Sequence, residues 1–411
     1  MVSKMSNNKA KICFFNGGDY GSTGRIINTI SASLNNYDFI YVCRKIVDKE
    51  RHKGLSLSDS FFNLQWNRLF TKFFGLDGFR NYFFTRKIVR FLKKEKPDLI
   101  HFNNLHGYYI NLPILLKAVK KQKIQVIWTL HDCWTFTGRC AYYSYLHCNE
   151  WETKCQCRCK YKKEYPVSIF KSFNANMALT KEKLINELNA VFISPSGWLI
   201  SEFKKSFLKN NEIRLIYNGI RTDCFFRKRD FENFFNIVKY TNVKEKIICS
   251  VANPWSKRKG LEDILKISKV LTDYTFLIVG LEKFDVKENV IFLKKVSIDE
   301  LRVIYSCSDV QLFTSYDDNL PSVLIECLLC GTPCVSYDTG GCSEILNEKC
   351  GILVKQGSIE NAADALNKIL KNNLKFESKN CIEQGMKFSD DLMVQNYSAL
   401  YNELLKKGDK K

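Results

Sequence analysis

The chain alternates short apolar runs with longer segments that have the hydrophobic spacing of helices. The runs are rich in β-branched residues, and each is followed by a loop and then by an amphipathic stretch. Because continuous apolar strands suit a parallel sheet covered by helices on both faces, this pattern predicts a βαβ architecture. In the first half it predicts strands at 11–15, 39–43, 99–102, 126–130 and 191–195.

The series of strands begins again in the second half, which predicts an α/β protein of two Rossmann-like, doubly wound domains. The predicted strands are 214–217, 247–251, 276–279, 290–293, 310–313 and 333–337. A turn at Asn218 and Gly219 leads into a charged, irregular stretch, so we place an N-terminal domain at 1–205 and a C-terminal domain at 206–385. Helical spacing over 389–406 predicts a terminal helix within a last segment, 386–411, that ends in a basic tail.

Composition and charge narrow the class of protein. The 411 residues are 45% hydrophobic and 26% charged, which excludes a disordered chain, and a net charge of +20 predicts an anionic partner such as a nucleotide, a nucleic acid or an acidic membrane face. No run approaches the roughly 18 apolar residues of a spanning helix, and the polar start at 1–10 has no signal core. We therefore expect a cytoplasmic protein with reduced thiols, either soluble or bound to a membrane surface.

A glycine-rich turn follows the first predicted strand. Gly17 and Gly18 lie in it, directly before a predicted helix. Glycines let a ligand approach the backbone closely, and a helix N-terminus offers N–H groups to an anion. The turn matches neither the GxGxxG fingerprint nor a Walker loop, so a purely structural turn remains an alternative.

Histidines follow two of the predicted strands of the first half. His131 comes directly after 126–130, and His101 and His106 lie in and after 99–102. The carboxyl ends of parallel strands are where open α/β sheets bind ligands. A polar residue there can also be a helix cap or a buried, satisfied group. We expect a functional role for His131 more than for the other two histidines.

The second half contributes cations and paired acids. Arg258 and Lys259 lie in a basic turn between a predicted strand and a helix, a position that suits a diphosphate, although a solvated loop is the alternative. Asp318 and Glu326 stand eight residues apart. Asp318 lies at a loop or helix start, and Glu326 lies a little over two turns later on an apolar helix. Carboxylates so placed can accept hydrogen bonds from sugar and ribose hydroxyls. Glu326 has apolar neighbours and therefore needs a polar partner.

Together these motifs resemble the group 1, family 4 glycosyltransferases of the GT-B fold. Within this family, the chain is most similar to the subgroup that builds bacterial capsule, O-antigen and exopolysaccharide, including colanic-acid-type transferases. Three departures from the family pattern are Asp318, where glutamate is usual, Pro254, where arginine is usual, and Cys157, an extra cysteine in the subgroup's cysteine pattern. The motifs that carry the resemblance are GSTGR at 21–25, HDCWTFTGRCAYY at 131–143, YNGI at 217–220, RKGL at 258–261, the acid pair, CGTP at 330–333 and TGG at 339–341.

The resemblance implies two Rossmann-like domains that face each other across a cleft, with the terminal helix crossing back to the first. It implies a retaining hexosyltransferase that takes a nucleotide-diphosphate-sugar donor, held mainly by the C-terminal domain, and a lipid-linked or oligosaccharide acceptor. It also assigns the residues that contact the donor: Gly17, Gly18 and Lys259 at the diphosphate, Glu326 at the ribose, and Asp318 and His131 at the transferred sugar. Because Pro254 replaces the usual arginine, a second cation at the diphosphate, if one is needed, comes from Arg258 or Lys257. Of these, His131, Lys259, Asp318 and Glu326 form the expected catalytic set.

The only metal ion that we predict is a structural one. No DxD-type motif lies in a fitting loop, so we expect catalysis without a metal or other cofactor. Six cysteines fall within 133–159, and closely spaced thiolates can hold a tetrahedral zinc. We expect the ligands to be Cys140, Cys148, Cys155 and Cys159, while the intervening Cys157 leaves the ligand set open. Free or disulfide-paired thiols are the alternative.

Two segments at 86–94 and 203–209 alternate cations with large apolar residues, which suits an anionic membrane surface on the inner face of the plasma membrane. Ordinary amphipathic helices with a solvated basic side are the alternative.

Two other functional classes are alternatives to the transferase: a nucleic-acid-binding protein with a cysteine-rich zinc module, and a GT-B UDP-sugar epimerase. The chain lacks an RRM, helix-turn-helix or finger signature, so we expect no nucleic-acid partner.

Overall fold

The structure is a computed structural model that describes residues 9–57, 61–153, 155, 159, 161, 164–170, 173–239, 243–281 and 289–408. The chain divides into two compact units. Unit 1 comprises Met1–Ile216 with Val394–Lys411, and unit 2 comprises Tyr217–Met393. The divisions therefore fall after 216 and 393, where the sequence predicted 205 and 385.

Unit 1 is built on a parallel sheet of seven strands in the order β3-β2-β1-β4-β5-β6-β7. The order reverses between β1 and β4, which pair directly, and this is the place where doubly wound sheets bind ligands. The strands are β1 (Ala10–Gly18), β2 (Tyr37–Lys45), β3 (Gly54–Ser56), β4 (Leu99–Phe102), β5 (Gln125–Thr129), β6 (Val191–Ser194) and β7 (Ile213–Leu215).

Most helices of unit 1 bury an apolar side in its core. They are α1 (Gly21–Ser33), α2 (Phe61–Phe74), α3 (Tyr82–Glu95), α4 (Leu112–Gln122), α5 (Glu150–Thr153), α6 (Asn174–Asn186) and α7 (Gly197–Lys205), with short 3-10 turns at Cys133–Phe136 and Ser144–Leu146. α7 begins where the Ser196 hydroxyl accepts a hydrogen bond from the Leu199 N–H at 3.1 Å. Such a cap satisfies one of the N–H groups that a helix start leaves without a partner.

Unit 2 repeats this topology with a six-stranded parallel sheet in the order β10-β9-β8-β11-β12-β13, whose reversal lies between β8 and β11. Its strands are β8 (Ile247–Val251), β9 (Thr275–Val279), β10 (Val290–Leu293), β11 (Val310–Phe313), β12 (Cys334–Tyr337) and β13 (Gly351–Val354). Its helices are α8 (Phe231–Val238), α9 (Leu261–Val270), α10 (Ile298–Cys307), α11 (Ser322–Leu329), α12 (Cys342–Ile345), α13 (Ile359–Leu370) and α14 (Ser378–Met386), with a 3-10 turn at Lys257–Lys259.

The last helix, α15 (Asp390–Gly408), begins among the residues of unit 2 and belongs to unit 1 from Val394 onward. The Tyr401 hydroxyl lies 2.8 Å from His101 Nδ1, and the Tyr397 hydroxyl lies 2.9 Å from the Thr129 hydroxyl. His101 Nε2 lies 2.7 Å from the same Thr129 hydroxyl. Burial lowers the pKa of His101 to about 3, so the ring is neutral and fully hydrogen-bonded. His101 therefore fastens the terminal helix to the sheet.

The fold class, two Rossmann-like domains, is confirmed, but three strand assignments differ from the prediction. The run 214–217 was expected to open the second series, and instead β7 pairs with β6 at the edge of the first sheet. β7 is only half-buried, so its apolar content did not reveal which sheet it joins. The short strands β3 and β13 were not predicted, since three or four residues hold little periodicity.

The two basic segments expected at a membrane hold their apolar side chains inside unit 1. Ile88 and Leu92 of 86–94, and Phe203 and Leu208 of 203–209, are fully buried in its core. Both segments therefore expose their cations and bury these apolar side chains, as ordinary amphipathic helices with a solvated basic side do. No helix of the described ranges is both long and apolar enough to cross a membrane.

Candidate active site

The basic turn of unit 2 lies against the carboxyl end of β11. Gly260 has a φ of +70°, and a Cβ there would come within 2.1 Å of the Thr314 carbonyl oxygen, so only glycine fits. The Thr314 hydroxyl donates to the carbonyl oxygens of Lys259 and Gly260, at 3.2 and 3.0 Å. The Tyr316 N–H donates to the Arg258 carbonyl at 2.7 Å. These bonds fix the two cations beside the loop that follows β11.

Three residues predicted for the site come together there. Lys259 Nζ donates a hydrogen bond to Asp318 Oδ2, and Arg258 Nη1 lies 4.0 Å from the same oxygen. The side chains of Arg258, Lys259 and Asp318 are 17, 19 and 21% exposed, so a ligand can reach them without their being fully hydrated. Two cations facing one carboxylate leave the cluster net positive, which suits an anionic ligand.

A second glycine turn, the TGG motif after β12, holds the Asp318 loop. A Cβ on Gly340 would overlap the Asp318 carbonyl oxygen at 1.6 Å, and the φ of Gly340 is +52°. The Gly341 N–H donates to the Asn319 carbonyl at 2.8 Å. The TGG glycines therefore permit a close backbone contact that presets the position of Asp318.

Tyr316, two residues before Asp318, is braced by an acid that the sequence did not single out. The Asp263 carboxylate in the first turn of α9 accepts hydrogen bonds from the hydroxyls of Tyr316 and Tyr337, at 2.5 and 2.9 Å. Gln356 donates to the Tyr316 carbonyl at 2.8 Å. The site loop is thus held by Asp263 of α9, which also binds Tyr337 of β12, and by Gln356 after β13. Such support fixes the positions of the charged side chains.

Glu326 lies on α11 and is only 3% exposed. The polar partner that its apolar surroundings required is Tyr305 of α10, whose hydroxyl donates to Glu326 Oε2 at 3.4 Å. Burial first, and then the Glu326 carboxylate, raise the pKa of Tyr305 well above its ordinary value, so the hydroxyl is a neutral donor. Sequence reasoning missed Tyr305 because nothing in the spacing links α10 to α11.

In unit 1, the glycine turn after β1 is held by a buried amide. Asn16 Nδ2 donates to the Gly18 carbonyl at 2.7 Å and to the Thr23 hydroxyl at 3.1 Å. A Cβ on Gly17 would meet no atom within 4 Å, whereas one on Gly18 would come within 2.5 Å of the Tyr20 ring. The backbone at Gly17 is therefore open to an approaching group.

The same turn is tied to the end of β2 by Asp19, a further residue that the sequence did not single out. Its carboxylate accepts hydrogen bonds from the N–H groups of Val47 and Asp48, at 2.8 and 3.0 Å, and lies 3.0 Å from His52 Nδ1. Burial opposes the charge, but these donors outweigh it and lower the pKa of Asp19. Asp19 therefore orders the turn rather than facing a ligand.

His131 follows β5, and its Nε2 lies 2.9 Å from Asn103 Oδ1. Desolvation lowers the pKa of His131 to about 4, so the ring is neutral at pH 7. The next residue, Asp132, lies 2.7 Å from His106 Nε2. Burial disfavours the charged His106 ring, but Asp132 outweighs burial and raises its pKa. His106 is thus a partner of Asp132, and Asn103 is a residue that orients His131.

The four cysteines predicted to bind zinc line one small cavity of unit 1, together with Tyr143 and Trp151. The Gly138 N–H donates to Cys155 Sγ at 3.2 Å. A hydrogen bond between Cys140 and Cys159 lowers the pKa of Cys159 to about 6. As they stand, no three His, Cys, Asp or Glu side chains of the described residues are grouped to hold a metal ion. Cys157 lies outside those residues. The cysteines gathered in the cavity are Cys140, Cys148, Cys155 and Cys159.

Two fully buried cations adjoin this cavity. Arg139 donates to the carbonyl oxygens of Pro166 and Tyr161 and to the Cys159 sulfur. Lys181 Nζ lies 2.5 Å from the Trp134 carbonyl oxygen and 3.5 Å from the centre of the Trp134 ring. Burial lowers the pKa of Lys181 to about 7. The thiols therefore lie in an electropositive part of unit 1.

Two family models match the chain, one in each half. The model for Glycosyltransferase Family 4 matches residues 45–223, and the model for Glycosyl transferases group 1 matches residues 232–388. The chain belongs to the group 1, family 4 glycosyltransferases. In this family member Arg258, Lys259, Asp318 and Glu326 lie in the group 1 match and His131 in the family 4 match, while Gly17 and Gly18 precede both.

The relatives of this family member include named glycosyltransferases. A protein named as the colanic acid biosynthesis glycosyl transferase WcaC of Escherichia coli K12 is 27% identical over 64% of this chain and 65% of its own length, just under two thirds. The N,N'-diacetylbacillosaminyl-diphospho-undecaprenol alpha-1,3-N-acetylgalactosaminyltransferase of Campylobacter jejuni is 24% identical over 54% of this chain and 60% of its own length.

Among solved structures, Alr3699/HepE of Anabaena in complex with UDP and glucose superimposes with a TM-score of 0.67. The superposition covers 96% of this chain and 99% of that chain at 15% sequence identity. Such a distant likeness establishes the fold, and the fold of this family member is accordingly of the GT-B type.

Proposed function

We propose that this protein is a retaining, metal-independent hexosyltransferase. It moves a sugar from a nucleotide-diphosphate-sugar donor to a lipid-linked or oligosaccharide acceptor in bacterial surface polysaccharide biosynthesis. The observation that carries the proposal is the cluster of Arg258, Lys259 and Asp318 at the carboxyl ends of β8 and β11. The names of the E. coli and C. jejuni relatives, and the UDP and glucose bound by the Anabaena structure, support the choice of substrates.

The donor diphosphate is the anion that the basic turn fits. When it binds, its charge competes with Asp318 for Lys259 and Arg258, so the ammonium turns from the carboxylate to the phosphates. The Asp318 carboxylate then becomes free to accept hydrogen bonds from hydroxyls of the transferred sugar. As the sugar–phosphate bond breaks, both cations stabilise the charge on the leaving diphosphate. These cations supply the charge that a metal ion supplies in other transferases, and no cofactor takes part.

Glu326 holds the ribose in this proposal. Its carboxylate has two oxygens, and the Tyr305 hydroxyl engages Oε2. A carboxylate oriented in this way can accept hydrogen bonds from a pair of ribose hydroxyls, and charged acceptors make the stronger bonds. Tyr305 is then a positioning residue for the ribose contact.

The residues of unit 1 that the proposal assigns to the donor are neutral groups. His131 is neutral at pH 7, so it can hydrogen-bond a sugar hydroxyl without adding charge, and Asn103 fixes the orientation of its ring. The open space beside Gly17 admits the diphosphate close to the backbone, with the N-terminus of α1 beyond it.

We propose in addition that Cys140, Cys148, Cys155 and Cys159 bind a structural zinc ion. Four thiolates around a divalent zinc carry two net negative charges. The buried Arg139 guanidinium offsets one of them, and the thiolates favour the protonated form of the buried Lys181, which offsets the other. The N–H group of Gly138 already points to one sulfur. Binding draws the thiols together and stabilises a segment with little apolar content.

The function is tested by measuring thermal stabilisation with a panel of nucleotide sugars and then transfer from the stabilising donor. A donor at 100 times its dissociation constant should add about 2.7 kcal/mol to the free energy of unfolding. Transfer to a polyprenyl-linked acceptor, with the anomeric configuration of the product read by NMR and equal to that of the donor, supports the proposal. Turnover of the donor without acceptor indicates an epimerase, and stabilisation by no nucleotide sugar contradicts the proposal.

A further inference from the structure

Three hydrogen-bonded polar side chains run outward from the core of unit 1, beyond the carboxyl ends of β4 and β5. The Asp132 carboxylate lies 2.7 Å from His106 Nε2, and His106 Nδ1 lies 3.0 Å from the Tyr165 hydroxyl. Asp132 is 7% exposed, whereas Tyr165 is 39% exposed, so the series begins in the core and ends where a ligand can reach it. We call these three residues the polar triad.

The direction of each hydrogen bond in the polar triad follows from the chemistry of its partners. An ionised carboxylate only accepts hydrogen bonds, so His106 Nε2 carries the proton that points to Asp132. The Trp134 N–H donates to the other Asp132 oxygen at 2.9 Å and helps to fix the carboxylate. When the ring of His106 is neutral, Nδ1 is therefore an acceptor, and the Tyr165 hydroxyl donates to it. The Tyr165 oxygen can then accept a hydrogen bond from a further donor.

The protonation states of the three groups suit the passage of a proton from Tyr165 to His106. Burial opposes a charge on Asp132, but His106 and the Trp134 N–H outweigh burial and lower the pKa of Asp132. Burial also disfavours a charged His106 ring, yet Asp132 raises the pKa of that ring. Burial raises the pKa of Tyr165 well above its ordinary value, so the phenol keeps its proton until a base takes it. A histidine paired with a carboxylate is such a base.

The polar triad lies at the same edge of the sheet as His131. His106 follows β4 and Asp132 follows β5, and these two strands pair directly. His131, which the proposed function assigns to the transferred sugar, directly precedes Asp132. A base that takes a proton during transfer has to lie within hydrogen-bond reach of the reacting hydroxyl. The polar triad therefore offers a base next to the residue assigned to the sugar.

We propose that the Tyr165 oxygen binds the reacting hydroxyl of the acceptor and that the polar triad takes its proton. As the acceptor oxygen bonds to the anomeric carbon, its proton passes to the Tyr165 oxygen, and the proton of Tyr165 passes to His106 Nδ1. The sugar–phosphate bond breaks, and the leaving diphosphate keeps its electron pair. Asp132 stabilises the imidazolium until His106 returns a proton to solvent. This step rests on the proposed function, since it needs the donor and a hydroxyl acceptor.

Transfer kinetics test the role of Tyr165, with the donor and the polyprenyl-linked acceptor of the proposed function. Tyr165→Phe removes only the oxygen, and His106→Gln keeps a donor for Asp132 but cannot take a proton. Each variant should lower kcat by a factor on the order of 10² to 10⁴. Calorimetry should show unchanged binding of the nucleoside diphosphate, because the cations assigned to it lie in unit 2. Tyr82→Phe, at a tyrosine of α3 that is 43% exposed, is the matched control and should keep the wild-type kcat.

The titration of His106 can be measured without any substrate. Charged groups act on its ring from several segments: Asp132 and Asp77 favour the charged form, Lys181 of α6 disfavours it, and His131 is neutral at pH 7. In NMR spectra of the full chain with ¹⁵N-labelled histidine, His106 should carry its proton on Nε2 when neutral and should titrate above pH 6.5. Asp132→Asn should move this titration to lower pH. A wild-type His106 that titrates below pH 6.5 overturns the proposal.

The pH dependence of kcat then links this titration to the reaction. The wild-type kcat should fall as the pH drops through the pKa of His106, because a charged ring cannot take the Tyr165 proton. Tyr165→Phe and His106→Gln should lose this dependence, which a bond that only holds the loop would not cause. Full kcat of Tyr165→Phe, a rise in its acceptor KM alone, or an unchanged pH dependence in His106→Gln overturns the proposal.

These outcomes leave the proposed function intact, because the wild type still transfers the sugar. A wild type that transfers sugar to no acceptor contradicts the proposed function, and with it the role of Tyr165.

Discussion

The Lys259 ammonium donates a hydrogen bond to the Asp318 carboxylate, although 59 residues separate the two along the chain. Each lies at the carboxyl end of one of the two central strands of unit 2, so the parallel topology brings them together. Without a ligand the two charged groups neutralise each other. In the proposed function a bound donor offers the ammonium a phosphate and the carboxylate a sugar hydroxyl. The roles of the two residues can therefore be distinguished by experiment.

Replacing Asp318 by Asn should separate binding from turnover. Lys259 loses its neutralising partner, so the nucleoside diphosphate of the cognate donor should bind as tightly as to the wild type or more tightly. The sugar loses a charged acceptor, so turnover should fall by a factor on the order of 10² or more. Calorimetry and a transfer assay measure the two effects. Asp318→Glu keeps the charge and should retain more activity; weaker diphosphate binding by Asp318→Asn contradicts the exchange of partners.

Glu326→Gln should weaken the binding of the nucleotide-sugar donor. The variant keeps the shape of the side chain but loses the charge that strengthens bonds to hydroxyls, so donor affinity should fall roughly tenfold to a hundredfold, with a lower rate. Titration of the donor measures the affinity. Glu348→Gln, at an exposed position of the same unit, serves as the control and should change neither quantity. An unchanged donor affinity for Glu326→Gln removes Glu326 from the ribose site.

His101 should make the protein less stable in acid. Its pKa is about 3 in the folded chain against 6.5 as the ordinary value, so between these values the unfolded chain binds a proton that the folded chain does not. Lowering the pH from about 7 to about 5 should therefore cost about 1 to 2 kcal/mol of unfolding free energy through this residue.

Urea unfolding at the two pH values measures that cost. His101→Asn removes the titrating ring and should flatten the pH dependence, although it lowers stability at both pH values by breaking the bond to Tyr401. His147→Asn, at an exposed histidine, should leave the dependence as it is. The same pH dependence in wild type and His101→Asn rules out this coupling.

Protein purified without chelator should contain one zinc ion per chain. Elemental analysis measures it, and Cys140→Ser or Cys155→Ser should lower the content and the melting temperature together, because the metal is part of the folded state. Cys224→Ser, at a half-buried cysteine of unit 2, should lower neither. Zinc-free wild-type protein of full stability refutes the proposed metal site.

The sequence predicts the sheets well because apolar β-branched runs that recur with intervening helices leave little choice but a parallel sheet. It also places Lys259 and Asp318 at strand ends, where topology alone makes them neighbours. The bonds of Glu326 to Tyr305 and of Asp19 to His52 could not be predicted, since they join elements whose facing sides depend on packing. The exposed rings of α2 could not be predicted for a related reason: α2 has the apolar content of a core helix, and only its packing shows which rings stay outside.

The central claim is that Lys259 stabilises the departing diphosphate. The most direct measurement is the turnover of Lys259→Ala with the cognate donor in the presence of EDTA, compared with Lys257→Ala, which removes an exposed cation of the same turn. Turnover of Lys259→Ala should fall by a factor on the order of 10² to 10³, while Lys257→Ala should stay near the wild type. Full activity of Lys259→Ala under these conditions would show that the basic turn is a solvated loop and that the reaction takes place elsewhere.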